Sequence, residues 1–203
     1  AGNNGGKAAE LWSLESGWVN LPGITGENIY TANDLNLESQ LNPLYRVDNH
    51  VWLWPAPNGK LFHAGPSEEM HWIDPDVSGG SIISAGLRGD DTYSMKGTTV
   101  MFDIGKILKV GGATSYGETF NSTTPAKNNA FVIDINVDYP QSPTVVNAGH
   151  LAESRTMHNS TVLPNGQVLV TGGLDRGAVF TDIGARHVAE LYPPSSNGGG
   201  GEW

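Results

Sequence analysis

The sequence predicts an all-β fold built from repeated antiparallel sheets, a β-propeller, and three observations predict it. Three segments share one pattern, a turn followed by a short β-branched run and a closing glycine. They are Pro57-Asn58-Gly59-Lys60-Leu61-Phe62-His63-Ala64-Gly65, Gly105-Lys106-Ile107-Leu108-Lys109-Val110-Gly111-Gly112 and Pro164-Asn165-Gly166-Gln167-Val168-Leu169-Val170-Thr171-Gly172-Gly173. The chain also holds 27 glycines and 12 prolines in 203 residues. That is about twice the usual ~7% glycine, a sign of many tight turns. Finally, no stretch carries a sustained helical period.

In chain order, Ala8–Trp12 and Gly17–Leu21 read as the third and outer strands of a first, partial sheet. Residues Asn33–Gln40 have the makings of one or two helical turns, capped by Asn33 or Asp34 and stopped by Pro43. Three runs read as innermost strands: Tyr45–Trp54, Gly97–Asp103 and Met157–Leu163, rich in β-branched or aromatic residues. A hairpin follows each, and Asn-Gly at 58–59 and 165–166 is the strongest short hairpin signal because both residues tolerate positive φ. Asn129–Ile135 and His187–Tyr192 supply later third strands.

The closing glycines Gly65, Gly111 and Gly172 stand 46 and 61 residues apart, near the ~50-residue period of kelch repeats with variable loops. The expected divisions are blades at about 45–94, 95–150 and 151–203, with 1–44 giving the outer strands of another blade and its connection. About three and a half blades form an open ring. Each blade of a propeller buries its faces on two neighbours, so the expectation is a piece of a longer protein. The alternative is a small two-sheet β-sandwich.

Eleven Lys and Arg against 21 Asp and Glu give a net charge of −10, which repels phosphate backbones and anionic lipid heads. No nucleic-acid or membrane partner is expected, and neutral substrates fit better. Apolar runs such as Val51-Trp52-Leu53-Trp54 are strand-sized and too short to span a bilayer. The opening AGNNGG has no basic or apolar leader character, so any targeting peptide is expected to be removed or to lie upstream. The absence of cysteine forbids disulfides, thiolate metal sites and any chemistry that needs a modified cysteine.

His63, Glu68, Glu69 and His71 form the densest group of metal-ligating types, but without a recognisable ligand spacing they read as residues of a loop after a strand. Asp74-Asp76 and Asp90-Asp91 read as solvated loop acids. No nucleophile elbow, Walker loop or dinucleotide fingerprint occurs. The most informative stretch is Tyr45-Arg46-Val47-Asp48-Asn49-His50-Val51-Trp52, where strand alternation places Arg46, Asp48 and His50 on one side. At the mouth of a propeller channel Arg46 can donate to the hydroxyls of a neutral ligand; equally, Asp48 can neutralise it as a structural pair.

The segments LYRVDNHVWL at 44–53, FHAGPSEEMHW at 62–72, SAGLR at 84–88, VMFDIGKILKVGGATSY at 100–116 and SRTMHNSTVLPNGQVLVTGGLDRG at 154–177 stand in order along the chain. Together they resemble the galactose oxidase family, copper radical oxidases on a seven-bladed kelch-type propeller. The resemblance covers nearly the whole chain and weakens in Ser195–Trp203. It implies that Arg46 binds sugar hydroxyls beside the copper and that Phe180 is an apolar wall of the same pocket. It further implies that Tyr116 stands close behind the metal and that His50 supports Arg46. Gly117 departs from the glutamine of galactose-oxidising members, which leaves the preferred alcohol open.

The family's chemistry needs a tyrosine cross-linked to a cysteine, a Tyr-His pair and one further histidine around one copper. This chain has no cysteine and no tyrosine directly before a histidine. The resemblance thus implies no catalytic and no metal-ligating residue here, with His158 unligated. The first copper tyrosine would precede Ala1 and the other ligands follow Trp203. Copper is expected in the parent protein and none in this segment alone. The parent is expected to be a secreted monomer that oxidises primary alcohols of sugars or similar small molecules to aldehydes while O2 becomes H2O2. Two sequons, Asn121-Ser122-Thr123 and Asn159-Ser160-Thr161, suit that compartment. The competing expectation is a non-catalytic kelch-type binding protein that has lost the copper ligands.

Overall fold

The structure, a computed structural model, describes residues 8–29, 51–114, 123–194 and 203. Thirteen strands and one helical turn lie among them. The strands β1 (Ala8–Ser13) and β2 (Gly17–Thr25) form a hairpin, followed by the single turn α1 (Gly26–Ile29). A first four-stranded sheet runs in chain order through β3 (Leu53–Pro55), β4 (Leu61–His63), β5 (Glu69–Asp74) and β6 (Ser81–Leu87). A second repeats that order with β7 (Thr98–Asp103), β8 (Lys106–Val110), β9 (Asn129–Asp134) and β10 (Thr144–His150). The last holds β11 (Asn159–Val162), β12 (Val168–Thr171) and β13 (Glu190–Tyr192). Every pairing is antiparallel between neighbours in sequence, in four separate sheets instead of two facing ones.

The Asn-Gly turns form as their chemistry dictates. Gly59 and Gly166 both adopt φ 82, where a Cβ is unfavourable. In each turn the Asn side-chain oxygen accepts the amide two residues on, Lys60 to Asn58 and Gln167 to Asn165, both at 3.1 Å.

Strand alternation then builds the cores between successive sheets. Along β8, Ile107 faces Phe62, Met70 and Trp72 of the preceding sheet, while Leu108 and Val110 face Val168, Val170 and Tyr192 of the following one. All of these side chains are fully buried. Truncating one aliphatic member to alanine costs about 2–5 kcal/mol at such sites. A smaller core of Leu21, Ile24, Ile29 and Ile73 joins the β1–β2 hairpin to the first sheet.

Several expectations are corrected. The strands β5, β6 and β10 were not anticipated. Glu68, Glu69 and His71 were expected in a loop, yet Glu69 and His71 belong to β5, where acids and histidine mask an apolar run of Met70, Trp72 and Ile73 buried on both faces. The outer strands β6 and β10 carry Ser, Gly and Asn on an exposed face, which hides their period. Met157 precedes its strand because its φ is 58. The helical turns expected at 33–40, and most of the strand expected at Tyr45–Trp54, lie outside the described residues.

Asp74 and Asp91 are not solvated acids. Lys60 donates to Asp74 at 2.9 Å, and Asp76, its exposed neighbour, completes the pair at 3.1 Å. Asp91 is 3% exposed and joins the two four-stranded sheets. It accepts from Lys109 at 2.6 Å, Asn129 at 2.7 Å, Arg88 at 2.8 Å and Ser94 at 3.1 Å, with Lys127 at 3.3 Å. Burial pushes its pKa up, but the charges of Lys109, Arg88 and Lys127 outweigh burial and hold it well below the usual carboxylate range.

Candidate functional site

The first strands of the last three sheets lie side by side. The indole of Trp54, in β3, donates to Thr99 of β7 at 3.1 Å, and the hydroxyls of Thr98 in β7 and Ser160 in β11 are 2.5 Å apart. At the starting ends of β7 and β11 the wall opens into a cavity of about 620 Å³ lined by Trp52, Lys96, Thr98, Met157, His158 and Phe180, among others.

Backbone geometry singles out this cavity. Among the described residues, Lys96, Met157 and Phe180 are the non-glycine residues with positive φ, at 55, 58 and 57, and all three line it. Left-handed backbone costs a non-glycine residue of order 1 kcal/mol or more and persists only where surrounding bonds enforce it. The enforcement is visible. Met95 bridges to Ala113 and Thr156 to Leu174 immediately before the two residues, and the Met157 amide donates to the Lys96 carbonyl at 2.7 Å. Phe180 sits in the segment 174–186, closed by Asp175 N to Gly184 O at 2.9 Å and Arg186 N to Gly173 O at 2.8 Å.

Phe180 is 85% exposed, a large apolar ring left bare on a constrained backbone at the cavity wall. His158 has the opposite character. It is buried, and its Nε2 lies 3.0 Å from the Thr98 hydroxyl. Burial, then the charges of Arg155 and Lys109, push its pKa down to about 3, so the ring is neutral at physiological pH. It buttresses the wall. Asn159, the acceptor of the second sequon, is an exposed residue of β11 in the same wall.

Of the residues expected at the site, Phe180 is placed in this wall. Arg46, His50 and Tyr116 lie outside the described residues, as does Gly117. Sequence reasoning missed Trp52, Lys96 and Met157. The available signal was positional: Lys96-Gly97 and Met157-His158 each stand directly ahead of an inner strand.

The histidine and acid cluster does not form a metal centre. His63 and His71 face each other across β4 and β5, one Nδ1 donating to the other at 3.1 Å. Burial, followed by the charges of His71 and Arg88, lowers the His63 pKa well below the ordinary value. Burial also lowers that of His71, partly offset by Glu69. Glu69 accepts from the Ser84 hydroxyl and lies 3.9 Å from His71 Nε2. Among the described residues no group of three or more His, Cys, Asp or Glu is disposed to hold a metal ion.

No protein-family model matches the chain. Two galactose oxidase sequences of Gibberella zeae do, each 35% identical over 198 residues and 94% of this chain. The chain is similar to galactose oxidases along nearly its whole length. It spans 27% of the length of those relatives. Among solved structures, a fungal alcohol oxidase of the AA5 family in complex with copper is similar at a TM-score of 0.78 and 29% identity. That match covers 94% of this chain and 37% of the oxidase. The all-β arrangement of antiparallel sheets is thus shared with that solved oxidase. That solved structure is in complex with copper, whereas the described residues of this chain include no set of ligands that fits a copper ion.

Proposed function

We propose that this chain is an arc of a seven-bladed kelch-type propeller in a copper radical oxidase. Its successive blades fall at about 45–94, 95–150 and 151–203, and 1–44 provide the outer strands of another. The parent protein oxidises primary alcohols of sugars or related small molecules to aldehydes, with O2 reduced to H2O2. It is secreted and monomeric. The observation that carries the reading is the cavity ahead of β7 and β11, whose wall holds Phe180 bare on a constrained backbone, where the family resemblance calls for an apolar substrate wall.

The chain's own part is to bind and orient. Phe180, Trp52 and Met157 offer an apolar surface to the carbon skeleton of an alcohol, and Thr98 and Asn159 add polar groups beside it. Arg46 is assigned the hydroxyl-binding role by resemblance, supported by His50, with Tyr116 behind the metal. Copper, held by residues outside this chain, would supply the redox chemistry, and no oxidation step is assigned to the residues here.

The test is to load the parent protein with copper and offer primary alcohols, measuring aldehyde and peroxide. Equal amounts of both, absent without copper, are expected. Saturable sugar binding without peroxide would favour a non-catalytic binding protein instead.

A further inference from the structure

The chain contains Ala-Glu-Leu followed by an aromatic residue twice, Ala9-Glu10-Leu11-Trp12 in β1 and Ala189-Glu190-Leu191-Tyr192 at β13. In the second copy the carboxylate and the aromatic ring are both engaged. Glu190 accepts from Arg155 at 2.5 Å and from the amides of Ala152 at 2.6 Å and Glu153 at 3.3 Å. Tyr192 is 0% exposed, and its ring meets Trp203 at 5.1 Å and Phe102 of the preceding sheet at 6.3 Å. The Trp203 indole donates to the carbonyl of Ala148, in that sheet's outer strand, at 3.0 Å. Leu191, pointing the other way along the strand, is 43% exposed.

The first copy has the same orientation. Leu11 is 41% exposed on the side of Ala9, which packs on the core shared with the first sheet. Glu10 and Trp12 share the opposite face with Asn20 and Trp18, because the register pairs Glu10 with Asn20 and Trp12 with Trp18. That face is bare: Glu10 is exposed, Trp12 is 53% and Trp18 69% exposed. Two adjacent tryptophans left in water mark an interaction surface, since indole has both a large apolar body and a donor that wants an acceptor.

We propose that the Glu10–Trp12–Trp18 face is a docking surface for a further β-sheet segment of the parent protein, one that brings an arginine to Glu10 and an outer-strand carbonyl to the Trp18 indole. The occupant is specified by the second copy, where an arginine from a strand-entry loop and the edge of the preceding sheet fill the same places. The inference deepens the propeller reading and rests on it. Trp18 then stands where Trp203 stands, and Glu10 where Glu190 stands.

The test is oxidative footprinting of tryptophans in the intact parent protein with N-bromosuccinimide, read residue by residue by mass spectrometry. Trp12, like Tyr192, is expected to be as protected as the buried Trp72, and Trp18 to react no faster than the half-buried Trp203. In thermal melts of the same protein, Trp18→Ala and Trp203→Ala are expected to lower Tm by similar amounts, with Leu14→Ser without effect. Fast modification of Trp12 and Trp18 in the folded parent, or a Trp18→Ala melt equal to the unmutated one, overturns the inference. Neither readout involves turnover. Protected tryptophans without peroxide production count against the oxidase reading alone, and exposed tryptophans with peroxide production count against this inference alone.

Discussion

Met157 donates its amide to the carbonyl of Lys96 at 2.7 Å, and the two residues hold the same left-handed backbone, φ 58 and 55, directly ahead of adjacent inner strands. The repeat that generates the sheets therefore also generates a repeated kink at the cavity wall. Glycine meets that φ without strain. Lys96→Gly is expected to leave stability unchanged or raise it by up to about 1 kcal/mol, whereas Lys96→Val lowers it by more than that. Chemical denaturation of the two variants checks the ordering.

The exposed Phe180 ring makes a different prediction. Because it is 85% exposed, Phe180→Ala is expected to change stability by no more than about 0.5 kcal/mol. Under the oxidase reading it raises KM for primary alcohols several-fold. Steady-state kinetics beside a thermal melt separate the two effects.

Removing the carboxylate of Asp91 strands buried cations. Arg88 and Lys109, both 0% exposed, lose their partner in Asp91→Ala. A loss of about 3–5 kcal/mol is expected, as for other broken buried ion pairs. Asp90→Ala, one residue earlier on an exposed position, is expected to be nearly neutral. Urea unfolding of both variants gives the comparison.

Acid sensitivity follows from the buried histidines. His63, His71 and His158 all have folded pKa values below the ordinary 6.5, chiefly through burial. The unfolded chain takes up protons first, so their contribution is intact above about pH 6.5 and is lost as pH falls toward the folded values. For His158, at about 3, the loss between pH 7 and pH 5 is about 2 kcal/mol. His158→Gln should flatten that part of the stability profile measured by urea unfolding.

The regular parts of the fold were legible because their signals are local. Asn58-Gly59 and Asn165-Gly166 need positive φ, and Val168-Leu169-Val170 or Phe131-Val132-Ile133 have no polar residue to confuse the period. In β5, by contrast, Glu69, His71 and Asp74 look like loop residues until their partners Ser84, His63 and Lys60 arrive from elsewhere in the chain. Asp91 is the same case, since its cations come from three separate positions. At the candidate site the resemblance pointed to Phe180, but the kinks at Lys96 and Met157 are set by bridges between distant segments and leave no mark in composition.

The most direct measurement is an experimental structure of the copper-loaded parent protein. The account predicts a copper held entirely by residues outside 1–203, with Phe180 in the wall of the pocket that opens onto it. A copper bound by His63, His71 or any other residue of this chain, or one far from the cavity that Phe180 lines, would contradict it.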